Sequence, residues 1–90
     1  MDLRNKNIVV TGGASGLGKA LAVEFLKKEA NVLISDIDRK NLKITANNLD
    51  CEFDFCDVSK EQDVQNLVER AFKRFGYIDI FCSNAGVVSK

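Results

Sequence analysis

The chain has 90 residues, of which 46% are hydrophobic, and its 13 basic side chains balance its 13 acidic ones. This length fits one small globular domain or part of a larger one, and the balanced charge gives no bulk attraction to nucleic acid or to an anionic membrane. The absence of histidine excludes Ser-His-Asp and Cys-His catalysis and most zinc sites, so no metal site is predicted.

The cellular compartment is predicted from cysteine usage and from the lack of targeting features. No apolar run approaches the ~20 residues of a membrane span, and the first six residues lack the apolar stretch of a signal peptide. Cys51, Cys56 and Cys82 form no C-x-x-C pair and are expected to be free thiols. We therefore expect a cytoplasmic protein with no membrane or nucleic-acid partner.

The first half of the chain alternates β-branched runs with helical periodicity. Residues 7–11 (N-I-V-V-T) predict a strand buried on both faces. A glycine-rich loop follows, and apolar residues recur at helical spacing from Leu17 to Leu26. Residues 32–35 (V-L-I-S) predict a second strand that ends at Asp36, and Asp38 is expected to cap a second helix.

The second half repeats this alternation. Residues 51–55 alternate apolar with acidic side chains, which predicts a half-exposed edge strand. Ser59 and Gln62 match a capping box at the start of a third helix, and Gly76 is expected to end that helix. A continuous apolar stripe predicted to face the core follows the cap: Val64, Leu67, Val68, Ala71, Phe72 and Phe75.

Residues 78–83 (I-D-I-F-C-S) predict a fourth strand, so the element order is β-α-β-α-β-α-β. Right-handed crossovers make this a parallel α/β sheet in the order 3-2-1-4, with helices on both faces. The expected architecture is the first half of a Rossmann-like doubly wound fold plus one strand, in a single domain over residues 1–90.

The segment T-G-G-A-S-G-L-G-K-A (residues 11–20) fits two kinds of phosphate-binding loop. A triphosphate P-loop needs a hydroxyl after its lysine to hold magnesium, but Ala20 follows Lys19. A dinucleotide loop needs glycines after a strand and an acid about 20 residues further on. Asp36, 18 residues beyond Gly18, meets that requirement, so the spacing favours the dinucleotide loop.

Four motifs in order resemble the short-chain dehydrogenases/reductases of ordinary, non-extended type, over the whole chain. They are T-G-x-x-x-G-x-G from Thr11, Asp57-Val58 after the third predicted strand, Ile78-Asp79, and Ser83-Asn84-Ala85-Gly86 after the fourth. The resemblance implies an NAD(P)-dependent oxidoreductase that transfers hydride between a nicotinamide cofactor and an alcohol or carbonyl substrate. It also implies a homo-oligomeric whole protein.

The resemblance also implies a set of cofactor-binding residues. Asp36 would accept two hydroxyls of the adenosine ribose and repel a 2′-phosphate, and neither Ser15 nor Ile37 supplies the base that NADP-preferring relatives place there. Arg39 and Lys40 are expected on the first helical turn instead, so NAD is favoured over NADP. The implied site comprises Gly12, Ser15, Gly16, Leu17, Gly18, Asp36, Ile37, Asp57, Val58, Asn84, Ala85 and Gly86.

No catalytic residue is assigned to this chain. The resemblance implies a catalytic Ser and a Tyr-x-x-x-Lys pair, but the one tyrosine is Tyr77, with Phe81 four places on. Residues 1–90 are therefore expected to be inactive alone, as a fragment whose C-terminal catalytic part is missing. Two positions depart from the family pattern: Ser83 replaces an Asn, and Glu29 replaces a Gly that would suit left-handed backbone.

Three hypotheses about function stay open from the sequence. The first is the NAD-binding part of an oxidoreductase, and the second is a non-catalytic dinucleotide-binding or interaction module with the same half-fold. The third, a P-loop NTPase, is disfavoured by Ala20.

Overall fold

The computed structural model describes residues 2–83. Strands and helices alternate through them as the sequence predicts, although the third strand begins after Cys51 and the fourth begins two residues after Ile78. The elements are β1 (Asn7–Thr11), α1 (Gly16–Lys27), β2 (Asn31–Asp36), α2 (Arg39–Leu49), β3 (Glu52–Phe55), α3 (Glu61–Phe75) and β4 (Ile80–Ser83).

The described strands form one parallel sheet in the order β3-β2-β1-β4, which confirms the predicted fold. Ile8 of β1 pairs with Val32 of β2 on one side and with Ile80 of β4 on the other. Strands β2 and β3 thus lie on one side of β1 and β4 lies on the other, so the order of the strands reverses at β1. Ligands of doubly wound sheets bind outside the carboxyl ends of the strands at such a reversal.

The core lies on both faces of the sheet because β1 and β2 are central and covered by helices on either side. On one face Ile8, Val10 and Ile34 pack in a cluster with buried residues of α1 and α2. On the other face Val9 and Leu33 pack with Cys56, Leu67 and Ala71. Every residue of β1 is buried, as expected for a strand covered on both faces.

The predicted cap of α2 is confirmed, and the predicted cap of α3 is wrong. Asp38 Oδ1 accepts a hydrogen bond from the Asn41 N–H at 3.1 Å. At α3 the N-cap is Lys60, and the Ser59 hydroxyl instead donates to Asp57 Oδ1 at 2.6 Å. A carboxylate two residues away is a stronger acceptor, so it engages the hydroxyl in a local turn.

The apolar stripe of α3 is wider than the surface that the described sheet covers. Leu67 and Ala71 are fully buried, whereas Val68 is 37% exposed and Phe72 is 54% exposed. The prediction that Phe72 belongs to the core is therefore wrong for residues 2–83. No helix in this part of the chain combines the length and hydrophobicity needed to cross a membrane.

Candidate functional site

The loop between β1 and α1 requires glycine at positions where backbone segments meet. Gly12 and Gly16 adopt positive φ angles of 68° and 59°. A Cβ at Gly18 would lie 2.0 Å from the carbonyl oxygen of Gly12, and one at Gly13 would lie 2.7 Å from Ile34 Cβ. The loop is therefore packed tightly against α1 and β2.

Hydrogen bonds fix this loop to β2. The Gly13 N–H donates to the Ser35 carbonyl at 2.9 Å. The Ala14 N–H donates to Asp36 Oδ2 at 3.0 Å. Asp36 thus holds the glycine-rich loop in place from the end of the second strand.

Helix α2 fixes the same loop through two side chains that sequence reasoning missed. Asn41 Nδ2 and Thr45 Oγ1 both donate to the Ala14 carbonyl, at 3.0 and 3.2 Å. Their spacing of four residues places them on one face of α2, and Thr45 is buried. The sequence signal for this contact is the pair of polar residues at that spacing, next to Leu42 and Ala46, which are buried.

The start of α1 is open to an anion. Ser15 is its N-cap, but the Ser15 side chain makes no capping bond to a described residue, and the first turn of the helix contains no acid. The first N–H groups of a helix have no partner within it and carry the positive end of its dipole. Such an end binds phosphate.

A cleft of about 640 Å³ lies at the carboxyl ends of the strands. It brings together eight of the predicted cofactor residues, whereas Gly16 shapes the loop without lining the cleft. The predicted residues Asn84, Ala85 and Gly86 lie outside the described residues. The cleft is lined by Gly12, Ser15, Leu17, Gly18, Asp36, Ile37, Cys56, Asp57, Val58 and Ser59.

Cys56 and Ser59 are lining residues that sequence reasoning did not assign to the site. Both adjoin the Asp57-Val58 pair, so their position after β3 was the available signal. Burial raises the pKa of the Cys56 thiol, which is therefore protonated at neutral pH. Lys19, the lysine of the P-loop interpretation, is not among the described residues that line the cleft.

Asp36 can act both as a loop anchor and as a ligand acceptor. Its Oδ2 accepts from Ala14 and its Oδ1 accepts from the Asp38 N–H at 3.1 Å. A carboxylate has about four acceptor positions, so about two remain. Its structural role at the end of β2 is therefore compatible with a ligand on the cleft side.

Asp57 is held as a carboxylate by Ser59. The Ser59 hydroxyl and N–H both donate to Asp57 Oδ1, at 2.6 and 3.0 Å. These hydrogen bonds lower the pKa of Asp57 below its ordinary value, and the bond from the hydroxyl contributes most. The Asp57 N–H donates to Asp63 Oδ2 at 3.1 Å, which joins this turn to α3.

Apolar side chains flank the two carboxylates. Ile37 follows Asp36 and is 59% exposed, and Val58 follows Asp57 and is 37% exposed. A pair of exposed β-branched side chains in one cleft offers contact surface to a flat apolar ring. Residues 2–83 contain no group of three or more side chains that could hold a metal ion.

Residues 6–90 match the family model for short chain dehydrogenase. The chain belongs to the short-chain dehydrogenase family. Enzymes of this family are oxidoreductases that bind nicotinamide cofactors. Doubly wound folds bind ligands outside the carboxyl ends of their strands, and the cleft of this short-chain dehydrogenase chain lies at that end of its sheet.

Known proteins similar to the chain support the same family. The sex determination protein tasselseed-2 of Zea mays is 42% identical over 91 residues, which cover 98% of this chain. A short chain dehydrogenase from Mycobacterium smegmatis is 29% identical with a TM-score of 0.92 over 98% of this chain. A Brucella melitensis 3-ketoacyl-(acyl-carrier-protein) reductase, solved with NADH, is 36% identical with a TM-score of 0.83 over 88% of it.

The chain spans only part of the length of these short-chain dehydrogenase relatives. It covers 27% of the Zea mays protein. It covers 39% of the Mycobacterium smegmatis chain and 33% of the Brucella melitensis chain.

Proposed function

We propose that the chain binds NAD as the cofactor-binding portion of an oxidoreductase that transfers hydride between the nicotinamide and an alcohol or carbonyl substrate. The observation that carries this proposal is the convergence, in one cleft, of an open helix start with two carboxylates. The open helix start suits a phosphate, and the two carboxylates suit hydroxyl or amino donors.

Each part of the cleft is proposed to bind one part of the cofactor. The N–H groups at the start of α1 bind the pyrophosphate, and Asp36 accepts the ribose hydroxyls. Asp57 accepts from the adenine amino group, while Ile37 and Val58 contact the adenine ring. We propose that Asn84, Ala85 and Gly86, which lie outside the described residues, also bind the cofactor, as the family resemblance implies.

The preference for NAD over NADP is proposed from charge. Asp36 repels a 2′-phosphate, and none of the described residues that line the cleft is lysine or arginine. A 2′-phosphate would thus lose its hydration next to a carboxylate without gaining a cation.

The hydride transfer itself is proposed for the whole protein, in which a Ser and a Tyr-x-x-x-Lys pair complete the site. The sequence of 90 residues has no such pair, so the chain alone is expected to show no dehydrogenase turnover. We propose that the whole protein is a cytoplasmic homo-oligomer. The free state of Cys51, Cys56 and Cys82 fits a reducing compartment.

Calorimetric titration of the wild type with NAD and NADP tests the proposal. NAD should bind more tightly, and Asp36→Ala should narrow the difference because the repelling charge is gone. Asp38→Asn is the matched control: it removes a nearby charge, retains a residue that caps helices well, and should leave the ratio of affinities unchanged. An NADP preference in the wild type contradicts the role of Asp36.

A further inference from the structure

Arg39 is a basic residue close to the proposed ribose site. It lies three positions after Asp36, at the first residue of α2. Its guanidinium carbon lies 3.7 Å from the centroid of the Phe55 ring. A cation over an aromatic face at this distance is attracted by the quadrupole of the ring.

The Phe55 ring that holds this cation lies on the strand next to that of Asp36. Phe55 and Asp36 are register partners in the parallel pair of β2 and β3, and neighbouring strands lie about 4.8 Å apart. No ion pair between Arg39 and Asp36 occurs within residues 2–83. The Asp36 oxygens instead accept from two backbone N–H groups.

Arg39 lies along a different depression from the cofactor cleft. Together with Phe53 and Phe55 it lines a groove between α2 and β3. The described lining of the cleft contains Asp36 and Asp57 but no base. The charge that could offset Asp36 is therefore stacked on an aromatic ring outside the cleft.

We propose that Phe55 is a positioning residue for cofactor selectivity. By stacking under the Arg39 guanidinium, Phe55 keeps that cation away from the position of a 2′-phosphate, so the charge of Asp36 remains uncompensated. The inference rests on the proposed dinucleotide function and extends it to a residue outside the cleft. An exposed cation–π contact favours the stacked position of a side chain about two- to fivefold, so the expected change in NADP affinity is of that size.

The test measures the affinities of the chain for NAD and NADP in Phe55→Leu, which keeps an apolar side chain and removes the ring. The NADP affinity should rise about two- to fivefold while the NAD affinity stays constant. The gain should disappear in Phe55→Leu/Arg39→Met, and it should shrink in high salt because a pairing of Arg39 with phosphate is screened.

Phe53→Leu is the matched control, because Phe53 lines the same groove without stacking on Arg39. This substitution should leave the ratio of the NAD and NADP affinities unchanged. Circular dichroism checks the fold of each variant, and Phe55→Met replaces Phe55→Leu if the latter unfolds.

A folded ring-deletion variant with an unchanged ratio of NAD and NADP affinities overturns the inference. So does a loss of NADP affinity alone in Arg39→Met, because Arg39 would then already reach the phosphate. A wild type that binds NADP but not NAD, or neither, refutes the proposed function and this inference with it.

Discussion

Glu29 turns the chain between α1 and β2 with a φ of 66°, in the left-handed region that favours glycine. Its N–H donates to the Leu26 carbonyl at 3.0 Å, and its carbonyl accepts from the Asn5 N–H at 2.9 Å. The backbone at Glu29 thus meets the condition under which the sequence makes this residue a strained replacement for glycine. The two hydrogen bonds show why the fold retains the turn despite the strain.

We expect Glu29→Gly to stabilise the fold. Relief of the strain, less the added entropy of the unfolded chain, should give about 0.5–1 kcal/mol. For a domain of this size that corresponds to a rise in Tm of about 2–6 °C in a thermal melt. Lys28→Gly is the control: Lys28 has an ordinary φ of −91°, so glycine there should lower the Tm. A neutral or lower Tm in Glu29→Gly would argue against strain at this residue.

Ser59 controls the protonation of Asp57 in the cleft. Its two hydrogen bonds lower the pKa of Asp57 below the ordinary 3.8. A depressed pKa in the folded state adds stability above pH 3.8, and that stability is lost as the pH falls through the lower folded value. Ser59→Ala should therefore raise the pKa of Asp57 and weaken the fold above pH 3.8, and the difference from the wild type should shrink as the pH falls below that value.

Carboxyl-detected NMR titration of Asp57 measures the effect directly. Ser59→Thr keeps the hydroxyl and should keep the low pKa. An Asp57 pKa that is the same in Ser59→Ala and in the wild type would assign its depression to another cause.

Among the elements, α2 supports the glycine-rich loop between β1 and α1. Thr45→Val preserves the shape of a buried side chain but removes the donor to the Ala14 carbonyl. We expect a loss of about 1 kcal/mol in the free energy of unfolding. The NAD affinity should also fall about two- to fivefold, because binding must then order a looser loop.

Urea denaturation and calorimetric titration measure these two quantities. Thr45→Ser retains the hydroxyl and should retain most of the NAD affinity. If Thr45→Val binds NAD as tightly as the wild type, the Asn41 contact to Ala14 suffices to hold the loop.

The elements were predictable where one local signal dominates. Residues 7–11 carry a β-branched run that leaves few alternatives to a buried strand, and the glycine spacing from Gly12 to Gly18 specifies a tight loop before a helix. The α3 cap was not predictable in the same way, because Ser59 had two possible partners and took the Asp57 carboxylate. Asn41 and Thr45 were missed because their partner is a loop carbonyl about 30 residues away along the chain.

On the scale of the whole molecule, the described fold exposes apolar side chains on the α3 side of the sheet. Phe72 is 54% exposed and Phe81 of β4 is 38% exposed. Phe81 pairs in register with Val9, whose side chain packs on the α3 face. Apolar surface of this kind promotes association.

We therefore expect residues 1–90 alone to self-associate, and Phe72→Gln to reduce this association without lowering the Tm. Analytical ultracentrifugation over a range of concentrations measures it. Ile44→Gln on α2 replaces a similarly exposed side chain, 50% accessible, on the opposite face, and should change little. Equal effects of both substitutions would indicate general hydrophobicity rather than this face.

The central position of β1 has a consequence for how the molecule folds. Ile8 pairs with Val32, 24 positions along the chain, and with Ile80, 72 positions along it. Strand β1 thus acquires its second neighbour only after 72 further positions of the chain have been synthesised. Pairings this distant carry a large loop-closure entropy and a high contact order, which slow folding. The rate-limiting event in refolding should accordingly be the docking of β4 onto β1.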